Sequence, residues 1–306
     1  MAYAKTKDGT KLYYKDWGSG RPVILIHGWP LSADSWDDQA KAIAEAGMRA
    51  IAYDRRGFGR SDQPWTGYDY DTLTDDLAAV MEEVGATDDV ALVGFSMGGG
   101  EVARYMTRHG GRGVTQAVLV SSVVPYLVKA PDNPDGVDQS VFDSMMMEMR
   151  QDRPAFLRSF LNQFFGRGLI SHPVSEEMVD WAWACAIQAG LKPSEEAAHS
   201  FATTDFRPDM AHFRVPTLII HGTSDKVVPI EPTARAAVRE IAEARLIEYE
   251  GQPHGLWATE KMRFTADLLE FLTEGGARKM MFRDEGQSET TSDMADIPGT
   301  MTERMV

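Results

Sequence analysis

The sequence has a single cysteine, a shortage of positive charge and no long apolar run, and each shortage excludes a class of protein. Cys185 is the only cysteine among 306 residues, which excludes an intrachain disulfide framework and a cysteine metal cluster and indicates a reducing compartment. Lysine and arginine total 31 against 46 aspartates and glutamates, a formal net charge of -15, and no basic patch counters the repulsion of nucleic acid or anionic membranes. No stretch is apolar enough to span a bilayer, and the first residues lack the apolar core of a signal peptide. We therefore expect a cytoplasmic protein with neither nucleic-acid nor membrane partners.

Short apolar runs alternate with helix-like segments, a pattern that predicts an α/β fold with a mostly parallel sheet. Runs of strand character occupy residues 22–26, 49–53, 90–93, 116–121, 215–222 and 245–249, and a last helix is expected over 260–273. Between residues 124 and 210 such runs are missing, and helix-like segments occupy 142–149, 154–165, 176–189 and 195–203. An all-helical insertion of this kind is typical of a cap over the strand ends. We predict a core of residues 1–123 and 211–276, a helical cap of residues 124–210, and a polar, flexible tail of residues 277–306.

The segment that joins the third of these strand runs to the next helix carries a single serine among glycines. A sharp strand-to-helix turn strains the residue at its apex and leaves no room for a side chain two residues before or after it, a need that Gly94 and Gly98 meet around Ser96. Such a turn exposes the hydroxyl and directs free helix N–H groups toward a developing oxyanion. A phosphate-binding loop requires a lysine after its last glycine, whereas Glu101 follows here. The pattern favours Ser96 as a nucleophile.

A serine nucleophile requires a base, and the base requires an acid that orients it. Of the seven histidines, His254 lies in the loop after the last predicted strand, at the sheet edge that carries Ser96. Asp225 follows the preceding strand, and the chain order serine, aspartate, histidine is that of the α/β-hydrolase arrangement. We predict Ser96, Asp225 and His254 as the catalytic residues, with Asp54 and Asp205 as the alternatives for the acid.

The oxyanion that forms during acyl transfer requires two N–H donors. The backbone N–H of Met97, directly after the nucleophile, supplies one, and that of Trp29, in the loop after an early strand, is the natural second. His27 and His221 both end strand runs before a glycine and are interpreted as structural loop residues.

Several prominent residues have structural interpretations. Arg55 is expected to brace loops rather than bind an anion, and Glu101 is interpreted as an acid of the first helical turn. The consecutive methionines 145, 146 and 147 point around a helix, which favours packing in the core or the cap.

Five segments together resemble one branch of the α/β-hydrolases. The sequence is similar to the cofactor-free, non-haem haloperoxidases, also called perhydrolases or arylesterases, over about residues 2–273, and the segments that carry the likeness are 27–30, 54–61, 94–101, 206–209 and 216–222. The resemblance implies the α/β-hydrolase fold, a serine esterase without metal or cofactor, and an acyl-enzyme that hydrogen peroxide attacks in place of water. The products would then be a peracid and, beyond the protein, oxidised halide.

The resemblance also implies partners and a role for Pro30, and further residues are candidates for a pocket. The expected partners are a small ester or carboxylic acid and hydrogen peroxide, and a homo-oligomer is expected by analogy. Pro30, directly after Trp29, is of the haloperoxidase type and is expected to orient the Trp29 carbonyl toward bound peroxide. The candidate pocket residues are Pro30, Val124, Val228 and Trp181. In the cap, Trp181, Trp183 and Phe160 either line an acyl or aromatic pocket or pack against the core, and both interpretations stay open.

Three other classes of function are alternatives to this one. A dehalogenase or epoxide hydrolase carries an aspartate where Ser96 stands, so the serine argues against both. A lactonase or a carbon–carbon bond hydrolase uses the same three residues and stays open. A hydrolase-fold ligand receptor, which retains its ligand and turns over slowly, also stays open.

Overall fold

One sheet of eight strands organises the described part of the chain. The structure is a computed structural model that describes residues 2–288. The strands, in chain order, are β1 Ala2–Lys5, β2 Lys11–Gly18, β3 Pro22–Ile26, β4 Arg49–Tyr53, β5 Val90–Phe95, β6 Val114–Val120, β7 Thr217–Gly222 and β8 Ala244–Tyr249. Their order across the sheet is β1-β2-β4-β3-β5-β6-β7-β8. The β1–β2 hairpin and the β2–β4 pair are antiparallel, and every other neighbouring pair is parallel.

Helices cover the sheet and fill the insertion between β6 and β7. Within residues 2–288 the helices are α1 Asp37–Glu45, α2 Tyr70–Glu83, α3 Met97–Arg108, α4 Gln139–Phe164, α5 Glu176–Ala186, α6 Leu191–Thr203, α7 Arg207–Met210, α8 Ala234–Glu240, α9 Leu256–Thr259 and α10 Lys261–Ser288. The predicted α/β fold with a mostly parallel sheet is confirmed. Strands β5 and β7 are buried along their whole length, as parallel strands covered on both faces must be, which explains the apolar sequence of β5 and the apolar centre of β7.

The structure differs from the predicted elements at two helices. α4 merges the two segments expected at 142–149 and 154–165, and its backbone breaks at Asp152 (φ -153°, ψ 83°), two residues before Pro154. The Asp152 carboxylate accepts the N–H of Ala155 at 3.1 Å and so caps the second half of the helix. α10 continues well beyond the expected end near residue 273. It extends into the predicted tail, of which residues 289–306 lie outside the described residues.

The division into core and cap stays an interpretation. Four helices, α4 to α7, do lie between β6 and β7. Within residues 2–288 no helix combines the length and the apolar character needed to cross a membrane. The expected cytoplasmic location and the expected homo-oligomer stay predictions.

Candidate active site

The turn between β5 and α3 places Ser96 at its apex. Ser96 has φ 54° and ψ -118°, a strained conformation for a residue with a side chain. A Cβ atom at Gly94 would lie 2.5 Å from the Gly98 carbonyl oxygen, and one at Gly98 would lie 2.5 Å from the carbonyl oxygen of Ile26. Only glycine therefore fits at both positions, as the spacing predicts.

Ser96, His254 and Asp225 come together at the carboxyl edge of the parallel strands. Ser96 Oγ lies 2.9 Å from His254 Nε2, and His254 Nδ1 lies 2.6 Å from Asp225 Oδ2. All three side chains are buried. The two alternative acids lie elsewhere: Asp54 accepts hydrogen bonds from Arg60, and Asp205 pairs with Arg207. The arrangement is a continuous hydrogen-bonded chain from a carboxylate through an imidazole to a hydroxyl.

The Asp225 carboxylate is held by more donors than His254 alone. Oδ1 accepts the backbone N–H groups of Val227 at 2.9 Å and Val228 at 2.8 Å, while Oδ2 lies 3.3 Å from His221 Nε2. Burial by itself raises the pKa of Asp225, but the charge of His254 and hydrogen bonds from both histidines outweigh burial and lower the pKa far below its usual value. Asp225 therefore stays ionised. Sequence reasoning did not identify His221 as a partner of the Asp225 carboxylate, although the sequence shows it four residues before Asp225.

Two backbone N–H groups lie beside the serine. Met97 is the first residue of α3, so its N–H has no acceptor within the helix. Among residues 2–288, neither the Met97 N–H nor the Trp29 N–H donates a hydrogen bond to a protein acceptor. The loop that carries Trp29 approaches Ser96 closely, since a Cβ atom at Gly28 would lie 3.0 Å from Ser96 Cβ. Two unpaired N–H groups near Ser96 meet one requirement of the predicted oxyanion hole, whose assignment stays a prediction.

A buried ion pair joins the Trp29 loop to α3. Arg55 donates Nη2 to the His27 carbonyl at 2.6 Å and Nε to Glu101 Oε1 at 2.6 Å. Arg55 and Glu101 are at most 1% exposed, and the Tyr53 hydroxyl donates to the second Glu101 oxygen. Arg55 thus braces loops, as expected. The interpretation of Glu101 as a first-turn acid is wrong, because Glu101 is the fifth residue of α3 and is instead the ion-pair partner of Arg55.

His27 is a poor alternative base. Its Nε2 accepts the backbone N–H of Arg55 at 3.0 Å, so its proton lies on Nδ1, which is 2.9 Å from the Gly28 carbonyl oxygen. Burial, with the charge of Arg55 as a further cause, lowers the pKa of His27 well below its ordinary value. The ring is therefore neutral and bonded at both nitrogens.

Comparison with known proteins identifies the family. The family model of the alpha/beta hydrolase fold matches residues 21–257. The chain belongs to this family. It is 42% identical over 276 residues to the non-heme chloroperoxidase CPO-A1 of Kitasatospora aureofaciens, which covers 90% of this chain and 100% of that protein. It is 41% identical to the bifunctional esterase/perhydrolase DCH of Acinetobacter calcoaceticus, over 89% of this chain and 99% of that one. The crystal structure of bromoperoxidase from Bacillus anthracis matches with a TM-score of 0.86 and 44% identity, over 89% of this chain and 99% of that one.

Within the α/β-hydrolases, the chain belongs to the non-haem haloperoxidase branch, so the resemblance predicted from the five segments is confirmed. Among the described residues of this hydrolase, no three histidine, cysteine, aspartate or glutamate side chains are grouped as metal ligands.

A cavity of about 370 Å³ in this hydrolase lies between α4, α6 and the loop after β7. Its lining includes Phe142, Met145, Phe156, Phe160, Phe201 and Val227. The rings of Phe156, Phe160 and Phe201 pack against Trp29, with centroids 6.3, 5.1 and 5.9 Å from its ring. The cavity is therefore separated from the Trp29 loop by a single layer of aromatic rings.

The candidate pocket residues do not line this cavity, apart from Phe160. Pro30, Val124 and Val228 are buried, and Trp181 is 36% exposed and packs against Trp257. Val228 supports Asp225 through its backbone N–H. Assignment of these four residues to an acyl pocket stays a prediction.

Proposed function

We propose that this hydrolase is a serine esterase and perhydrolase that acts on small carboxylic esters through an acyl-enzyme. The observation that carries the proposal is the chain of two hydrogen bonds, 2.9 and 2.6 Å long, that joins Ser96 through His254 to Asp225. The relatives named chloroperoxidase and esterase/perhydrolase support the same activity.

Each group of the site has a defined role in the acylation step. Ser96 Oγ attacks the acyl carbon as His254 Nε2 takes its proton, and the ionised Asp225 stabilises the resulting imidazolium. The N–H groups of Trp29 and Met97 bind the tetrahedral oxyanion, and the loss of one such donor costs about 3 kcal/mol in the barrier. His254 then returns the proton to the leaving alcohol.

Deacylation determines whether the enzyme is an esterase or a perhydrolase. His254 removes a proton from water or from hydrogen peroxide, whose oxygen attacks the acyl carbon and releases Ser96. Water yields the carboxylic acid and peroxide yields the peracid. A free peracid then oxidises bromide with one proton to hypobromous acid and becomes the carboxylic acid. No step of this scheme draws on a metal or haem.

The first experiment compares the wild type with Ser96→Ala in two assays: hydrolysis of p-nitrophenyl acetate, and bromination that depends on acetate and peroxide. Ser35→Ala is a matched control, because Ser35 and Ser96 are both 5% exposed and the Ser35 hydroxyl donates to the Ser32 carbonyl rather than to a histidine. We expect Ser96→Ala to lose both activities with an unchanged circular dichroism spectrum, and Ser35→Ala to keep both.

The outcomes separate the alternatives. Near-wild-type turnover by Ser96→Ala would overturn the assignment of the nucleophile. Serine-dependent ester cleavage without peracid would reduce the proposal to an esterase or a lactonase. Tight ligand retention with no serine-dependent turnover in either assay would identify a ligand receptor.

A further inference from the structure

The three consecutive methionines on α4 have different surroundings. Met145 is half-buried and, among the methionines of residues 2–274, it alone lines the 370 Å³ cavity. Met146 lines a separate depression between α4 and α6, and Met147 is 64% exposed. Met97, the neighbour of Ser96, is fully buried and does not line the cavity. Met145 thus places one thioether in this space.

The cavity adjoins neighbours of the candidate active site on two sides. Lys226 and Val227, which form part of its wall, directly follow Asp225 in the chain. Phe160, on another wall, packs against the Trp29 ring with centroids 5.1 Å apart. Ser96 itself does not line the cavity, which is one layer of rings away from the Trp29 loop.

We propose that peracid formed at Ser96 passes between these rings into the cavity and converts Met145 to methionine sulfoxide, which makes Met145 an oxidation site of this enzyme. The thioether sulfur attacks the terminal peroxy oxygen, the O–O bond breaks, and that oxygen is transferred to Sδ while the peracid leaves as the carboxylic acid with its proton. The sulfur loses two electrons and the peracid gains two. The proposal rests on the proposed function, which supplies the oxidant.

The single thiol of the chain does not compete for the oxidant. Cys185 is 5% exposed, and burial raises the pKa of its thiol to about 11, so little reactive thiolate is present. A thioether carries no acidic proton, so its oxidation depends on access to the oxidant.

The order of oxidation distinguishes an oxidant made in the site from one in solution. Met147 and Met262 are 64% and 81% exposed, so peracid or peroxide from bulk solvent reaches them before the half-buried Met145. Peracid that leaves Ser96 through the cavity reaches Met145 first. The two sources therefore predict opposite orders.

The experiment follows methionine oxidation by peptide mass spectrometry during limited turnover with acetate and hydrogen peroxide. Free methionine is added to trap peracid that has reached the solvent. Parallel samples contain Ser96→Ala under the same conditions and wild type treated with dilute peracetic acid. Peracid formation by the wild type is measured alongside by bromination.

We expect the sulfoxide fraction at Met145 to exceed that at Met147 and Met262 by about threefold or more in the turnover sample, to stay near the peroxide background in Ser96→Ala, and to fall behind both exposed methionines with added peracetic acid. Bromination together with equal or earlier oxidation of the exposed methionines overturns the inference and leaves the proposed function intact. A lack of bromination overturns both.

Discussion

Replacing Glu101 by glutamine tests the role of the buried ion pair beneath the site. The change leaves the Arg55 guanidinium, 1% exposed, without its counter-charge, and a guanidinium does not lose its proton in proteins. Breaking a buried pair from one side costs about 3 to 5 kcal/mol. The glutamine amide oxygen still accepts one hydrogen bond, from Arg55 or Tyr53, so we expect a loss near the lower end, about 3 kcal/mol in the free energy of unfolding.

The reverse substitution, Arg55→Met, is expected to behave differently, because a lone carboxyl can neutralise itself. Burial already raises the pKa of Glu101, against the opposing charge of Arg55, and loss of that charge raises the pKa further. A carboxyl with a raised folded pKa keeps its full contribution to stability below its unfolded pKa and loses it as pH rises. The cost of Arg55→Met should therefore grow from pH 5 to pH 8, by about 1.4 kcal/mol per unit until Glu101 ionises in the folded state.

Urea unfolding of both variants at pH 5 and pH 8 measures these quantities. The surface pair Arg112–Glu82, with side chains 69% and 66% exposed and 3.3 Å apart, is the control, and Glu82→Gln should cost less than about 1 kcal/mol. A loss below about 1 kcal/mol for Glu101→Gln at pH 8, or a pH-independent loss for Arg55→Met, would refute the reasoning.

Three further predictions concern single positions. Gly94→Ala places a Cβ atom 2.5 Å from a backbone oxygen of α3 and should lower ester hydrolysis more than about 100-fold, whereas Gly168→Ala, with no atom within 4 Å of its Cβ, should not. Pro30→Leu should lower the ratio of perhydrolysis to hydrolysis if Pro30 orients the Trp29 carbonyl, and an unchanged ratio contradicts that role. Because the pKa of His27 is lowered in the folded chain, the unfolded chain gains a proton below pH 6.5 that the folded chain does not. The free energy of unfolding therefore decreases as the pH is lowered through this range. Urea titrations from pH 5 to 7 should show a slope smaller by up to about 1.4 kcal/mol per unit in His27→Gln, and equal slopes count against a neutral His27.

The apolar pattern of the sequence predicts the buried strands of this fold. The strands β3 and β4 have the predicted bounds, because a strand buried on both faces is a continuous apolar run between turns. The sequence predicts the kink of α4 only as a gap between two helices. The Asp152 side chain caps the second half of α4 directly after the break, and this cap depends on side-chain geometry that the sequence does not show. The length of α10 was missed because polar helix residues carry no apolar period.

The residues predicted for the site share one property: each follows a strand of known direction. Parallel strands deliver Ser96, Asp225 and His254 to one edge, so chain order is enough to bring them together. The second partner of Asp225 was not predictable in this way. His221 lies on β7, four residues before Asp225, and whether its ring turns toward the carboxylate depends on packing that no linear pattern records.

The contact of Arg55 with Glu101 is a part of the site that the sequence does not predict, because it joins residues from distant segments. The two residues are 46 apart in sequence, and neither local segment indicates the other residue as its partner. Arg55 also binds the His27 carbonyl, two residues before Trp29, while Glu101 lies in the first turns of the helix that begins at Met97. One guanidinium therefore contacts both backbone segments that carry the proposed oxyanion donors, the Trp29 loop and the start of α3. Substitutions that free Arg55 should disturb both N–H groups at once, so their effects on acyl transfer should not add to those of changes in either loop.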